Sequence, residues 1–136
     1  MVYLGERPDL AAVYKLCGNA FILGITALVA DAFTVAMGAG VGPTEVLTVL
    51  EFFNAANIAA GRGKAMAAES YAPGFELTMA RKDLRLMLET AGSAPLSSLP
   101  GIAARLDALI AEGHGHDDLA ALGRDAILTP RTSPPR

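Results

Sequence analysis

From Asp9 to the glycines that begin at Gly38 the chain carries no proline, and that uninterrupted stretch dictates most of what it can fold into. About 30 residues of helix-compatible sequence make a rod of roughly 45 Å at 1.5 Å per residue. Pro8 ends what precedes it, Asp9 can accept the first free amide protons as an N-cap, and Gly38, Gly40 and Gly42 stop the far end. Inside lies AFILGITALVA, residues 20–30, apolar on every side until Asp31 interrupts it. A bilayer span asks for ~20 apolar residues, and this run is shorter, so the sequence predicts a helix buried between other helices rather than one in a membrane.

The remaining sequence alternates breakers with Ala, Leu, Met, Glu, Lys and Arg, and no run has strand periodicity. The expected fold class is all-α, a helical bundle built on one long N-terminal helix. Pro43 suits the first turn of a second helix covering TEVLTVLEFFNAANIAA until Gly61 and Gly63 weaken it, with a short helix from Lys64 to Ser70 after it. A turn at Tyr71-Ala72-Pro73-Gly74 precedes a helix from Glu76 to Thr90, ended by Gly92. After SAPLSSLP comes a helix from Gly101 to Glu112 with Ile102, Leu106, Leu109 and Ile110 on one face. Asp117 caps the last helix, and three of the eight prolines fall in the final seven residues, so 129–136 reads as a disordered tail. The organisation expected is an interdomain remnant over 1–8, a helical domain over 9–128 and that tail.

A formal charge of −3, with no basic run, argues against a nucleic-acid partner. The single cysteine, Cys17, forms no internal disulfide and fits a reducing, cytoplasmic setting; inside an apolar helix it reads as a small buried hydrophobe. With 52% hydrophobic residues, a long apolar helix is more than so small a domain can cover alone, so a homodimer is expected. Neither glycine cluster is a phosphate loop: Gly38-Ala39-Gly40-Val41-Gly42-Pro43 follows a helix and ends in the wrong residue, and no Ser or Thr follows Gly61-Arg62-Gly63-Lys64. His114, His116, Asp117 and Asp118 crowd six positions, yet no further histidine exists, and an Asp-capped interhelical loop explains the same letters without a metal.

Lys15 is the residue of chemical interest in the first helix. Ala11, Ala12, Gly18 and Asn19 share its face, leaving room for a ligand beside the ammonium. Desolvated there, it would exchange protons near neutral pH; alternatively it snorkels from an amphipathic surface. Lys82-Asp83 poses the same choice against a solvated stripe with Arg81 and Arg85, and Phe75 would ordinarily anchor the turn after Pro73.

In their order and spacing these segments resemble the C-terminal helical domain of the β-hydroxyacid dehydrogenases, the family of 3-hydroxyisobutyrate dehydrogenase, tartronate semialdehyde reductase and glyoxylate/succinic semialdehyde reductase. The likeness spans roughly residues 11–124. Lys15-Leu16-Cys17-Gly18-Asn19 resembles the family's Lys-x-x-x-Asn stretch, Phe75 followed by Lys82-Asp83-Leu84 its Phe then Lys-Asp-Leu block, and Gly113-x-Gly115-x-x-Asp118 its closing motif. Gly18 stands where many members have a first Asn, Glu6-Arg7-Pro8-Asp9 where many have Gly-x-Gly, and Ala120 where they have serine.

The resemblance implies a bundle like the C-terminal domain of 6-phosphogluconate dehydrogenase-like proteins. It also implies an NAD- or NADP-dependent oxidoreductase acting on a small β-hydroxyacid or semialdehyde. On that likeness Lys15 is the general acid/base, Asn19 holds the substrate, Lys82 reaches the cofactor, and Phe75 and Asp83 line the substrate site. Cofactor binding would fall mainly to a Rossmann domain absent from this chain, leaving the isolated chain inactive. A non-catalytic helical dimerisation module is the rival reading, and a membrane-associated hairpin a third.

Overall fold

The computed structural model describes residues 9–128, so the expected 1–8 remnant and 129–136 tail lie outside the described residues. The described chain is all-α, as expected, without a strand; one isolated antiparallel bridge joins Glu76 to Asp118. Helix α1 runs from Asp9 to Gly38 unbroken. It stops where Gly40 takes a φ of +77°, a left-handed turn that a side chain would resist.

The expected second helix is instead three. Helix α2 (Pro43–Val46) opens with Glu45 accepting the Gly42 amide at 2.9 Å, and α3 (Val49–Phe52) follows a turn in which the Thr48 hydroxyl donates to the Glu45 carbonyl. Phe53 is extended, and the Asn54 side chain accepts the Asn57 amide at 2.9 Å to start α4 (Ala55–Ala67). Asn54 thus acts as a cap where the apolar pattern suggested helix interior, because its short amide competes for backbone hydrogen bonds. Helix α4 also passes through Gly61 and Gly63, absorbing much of the expected 64–70 helix. Each glycine costs about 1 kcal/mol of propensity, which packing outweighs here.

Helix α5 (Leu77–Ala91) ends at Gly92, and α6 (Leu99–Leu109) begins two residues before the expected start. A π turn over Ile110–His114 follows, then a 3₁₀ turn (Leu119–Gly123) and α7 (Arg124–Leu128). Asp118, not Asp117, is the cap: its carboxylate accepts the Ala120 amide at 2.9 Å, and the Asp117 carboxylate engages His114 instead.

The core lies between α5, α6 and the 3₁₀ turn. Leu77, Leu84, Leu106 and Leu109 are buried there with Ala80, Ala103 and Ala121, and Ile102 and Ile110 pack against them half-covered. Arg81 donates twice to Asp107, at 2.7 and 3.1 Å, tying α5 to α6 across the surface; the hydrogen bonds raise the Arg81 pKa and lower that of Asp107.

Helix α1 corrects the expectation of a buried first helix. Its only buried residue is Asp31, and residues 11–26 are exposed, among them Leu16, Phe21, Ile22 and Leu23. Cys17 is therefore exposed as well, not a buried hydrophobe. The bundle is short and meets only the C-terminal end of α1, where a Cβ on Gly38 would overlap the Thr90 carbonyl oxygen. An 18-residue window of α1 has mean hydropathy 2.0 and is 6% buried, so by length and composition alone the helix could cross a bilayer.

Two joints fix α1 to the bundle. One is the glycine contact with α5. The other is Asp31, 1% exposed, whose carboxylate accepts the amides of Ser97, Ser98 and Leu99 at 2.6, 2.8 and 2.9 Å. Ser98 and Leu99 are free donors at the start of α6, which α1 satisfies from 67 and 68 residues away in sequence. Burial pushes this carboxyl upward, but the three amide donors outweigh it and hold it below the usual 3.8.

Candidate active site

The residues singled out by the sequence fall in two places. Lys15 and Asn19 share a face of α1 one turn apart, on the exposed N-terminal half. Among the described residues no other element covers them. Phe75, Lys82 and Asp83 lie on the bundle: Phe75 in the loop before α5, Lys82 exposed and Asp83 half-buried on the second turn of that helix.

The joints set a minimum separation. Gly38 touches Thr90, Lys15 lies about 34 Å of helix rise from Gly38, and Lys82 about 12 Å from Thr90 at 1.5 Å per residue. Allowing a few ångströms for the contact, the Lys15 and Lys82 Cα atoms stay at least ~15 Å apart in one protomer at that rise. Within one chain the helix rise thus places the Lys15 and Lys82 backbones on separate elements, a span that two long side chains and a ligand between them would have to bridge.

Phe75 is held most tightly. Its amide donates to the Asp118 carboxylate at 3.0 Å and its carbonyl accepts the Leu119 amide at 2.8 Å. The residue, 36% exposed, borders a groove of about 510 Å³ lined by Asn57, Gly61 and Ala65 of α4. Phe53 forms another wall, and an Arg62–Asp118 ion pair closes one side. A second, apolar groove of about 750 Å³ runs along the C-terminal half of α1, between Leu28, Phe33, Val49 and Met87.

The expected basic stripe is divided: Arg81 faces Asp107 and Arg85 pairs with Glu89 at 2.7 Å. The two imidazoles turn to different carboxylates, His114 to Asp117 and His116 to Glu76, and no cluster of three or more ligating side chains forms among the described residues. Sequence reasoning missed Arg62, which sits inside α4 rather than in a loop, and the linking role of Asp118. The one available signal was the acidic end of Gly113-x-Gly115-x-x-Asp118, since its partners lie 43 and 56 residues away.

A family model described as the NAD-binding domain of NADP-dependent 3-hydroxyisobutyrate dehydrogenase matches residues 10–124, most of the chain. The chain belongs to that family. Among curated proteins none matches. The 3-hydroxyisobutyrate dehydrogenase family is one of NAD(P)-dependent oxidoreductases, which gives the cofactor class.

Among the described residues, neither glycine cluster fits the phosphate end of such a cofactor. A pyrophosphate asks for a cradle of free backbone amides at a glycine-rich turn. Gly61 and Gly63 lie inside α4, where amides are already spent, and the Gly42 amide is taken by Glu45. What this 3-hydroxyisobutyrate dehydrogenase-like chain offers is an ammonium at Lys82, the aromatic face of Phe75 and the Lys15–Asn19 pair, groups suited to a nicotinamide and a small polar substrate.

Proposed function

We propose that this chain is the helical substrate domain of an NAD(P)-dependent dehydrogenase acting on a small β-hydroxyacid or semialdehyde. A Rossmann-type domain and a second copy of the chain complete its site. The observation that carries the reading is a lysine and a carboxamide one turn apart on an uncovered half-helix, in a chain of this dehydrogenase family. The nicotinamide, when bound, supplies or accepts the hydride. Lys15 donates a proton from Nζ to the carbonyl oxygen in reduction, or takes it from the hydroxyl in oxidation. Asn19, one turn on, donates an amide hydrogen to the substrate and fixes its orientation. Lys82 faces the cofactor, and Phe75 with Asp83 walls the substrate. On this reading the enzyme works in the cytoplasm, and its isolated helical domain is expected to lack turnover, since among the described residues neither glycine cluster offers free amides for a pyrophosphate.

The dimer follows from α1. An apolar helix exposed over residues 11–26 and an apolar groove on the same chain make a self-complementary pair, as a two-fold interface requires. In that arrangement Lys15 and Asn19 of one copy meet Phe75, Lys82 and Asp83 of the other, removing the ~15 Å separation imposed by the helix rise within one copy.

A mixing experiment on the completed enzyme tests this. Lys15→Ala and Lys82→Ala variants are each expected to be nearly inactive. Equal amounts, unfolded together and refolded, give half heterodimers with one intact site of two, and so about a quarter of wild-type activity. Recovery of nothing would show that both lysines act from the same copy.

The exposed apolar helix also favours a second reading, a non-catalytic dimerisation module. It differs in predicting no effect of Lys15→Ala on turnover.

A further inference from the structure

The closing Gly-x-Gly-x-x-Asp segment has no role in the function proposed above, yet its acidic residue is one of the two buried polar residues of the described chain. Asp118, 8% exposed, uses both carboxylate oxygens. Oδ2 accepts the Phe75 amide at 3.0 Å; Oδ1 accepts the Ala120 amide at 2.9 Å and pairs with Arg62 of α4. Its own amide donates to the Tyr71 carbonyl at 3.0 Å, and the next amide, of Leu119, donates to Phe75. Both ends of the Tyr71–Phe75 loop are therefore pinned to one residue and its neighbour.

Local geometry leaves little slack. A Cβ on Gly74 would come within 3.1 Å of Asp118 Oδ2, so a side chain at 74 would push the carboxylate by a few tenths of an ångström. Gly115 is similarly tight, since a Cβ there would lie 2.9 Å from the Thr78 methyl, and its carbonyl accepts the Thr78 amide at 3.1 Å. These contacts turn the segment before Asp118 against the start of α5. Arg62 sets a counter-charge against this almost buried carboxylate, and a charge-assisted hydrogen bond is about twice as strong as a neutral one.

We propose that Asp118 is a positioning residue: through Oδ2 it fixes Phe75 at the rim of the α4 groove, with Arg62 holding the carboxylate from the opposite side. Its bearing on turnover rests on the role given to Phe75 above, whereas the placement of the ring does not.

The chain has no tryptophan, so Phe75→Trp makes a single-site reporter. In that background Asp118→Asn keeps one oxygen acceptor but loses the charge and the second acceptor. The expected result is retained helix by circular dichroism with acrylamide quenching of the indole raised about twofold, as a local release of the loop predicts. Quenching unchanged in a folded Asp118→Asn chain would overturn the proposal. Should that variant not fold, hydrogen exchange of the unmodified chain decides: a protected Phe75 amide supports the proposal and an unprotected one overturns it. In the completed enzyme, Asp118→Asn with native Phe75 raises KM about tenfold with kcat little changed, the pattern of lost substrate placement. A reporter that moves while KM stays fixed would leave Asp118 as the holder of Phe75 and remove Phe75 from the substrate site.

Discussion

Lys15→Ala in the completed enzyme lowers kcat by roughly 10²–10⁴-fold, the usual contribution of a positioned acid/base, while KM changes little. The lysine sits on the uncovered face of α1 with Asn19 one turn away, and the small Ala11, Ala12 and Gly18 around it leave space for the substrate oxygen. Lys15→Arg does not restore the rate. A guanidinium keeps its proton across the working range and cannot act as the base in the oxidative direction. Asn19→Ala gives a smaller loss, since it removes one orienting hydrogen bond and leaves proton transfer intact. Steady-state rates from NAD(P)H absorbance separate the two readings of this helix. An unchanged kcat in Lys15→Ala would make α1 a pairing surface only.

Most of the element pattern was legible because it is written in local chemistry. Gly40 stops α1, Pro43 opens α2 and Gly92 closes α5, each through backbone geometry that needs no tertiary partner. The second helix failed where two local preferences conflict. Its apolar run argues for continuity, but Thr48 and Asn54 can each bond nearby backbone, and the chain takes three short helices with Asn54 as a cap.

Burial was legible for α5 and α6, whose apolar faces turn toward each other. It was not legible for α1, because hydrophobic periodicity reports that a face must be covered and says nothing of which chain covers it. The candidate site divides the same way. Lys15 and Asn19 are a helical i, i+4 pair visible in the letters, whereas the Phe75–Asp118 contact spans 43 residues and exists only once α5 has folded back on the closing loop.

Asp31 shows how a residue can be read and still misjudged. In the sequence it interrupts an apolar run; in the fold it is the reason α1 and α6 stay joined. Asp31→Ala leaves three amides of Ser97, Ser98 and Leu99 without their acceptor where α1 meets the start of α6. Losing charged hydrogen bonds and a helix cap together costs about 3 kcal/mol, a fall in Tm of roughly 10 °C or more at fixed protein concentration.

The acid side follows from the same contacts. A carboxyl held below its ordinary 3.8 contributes stability that is complete above that value and is lost as pH falls through the lowered folded value. Wild-type melting temperature should therefore drop more steeply than that of Asp31→Asn below about pH 4, the carboxamide having no proton to gain. Urea titrations of both proteins over this range check it. Parallel pH profiles, or an Asp31→Ala chain that melts with the wild type, would mean that Gly38 against Thr90 alone holds the long helix to the bundle.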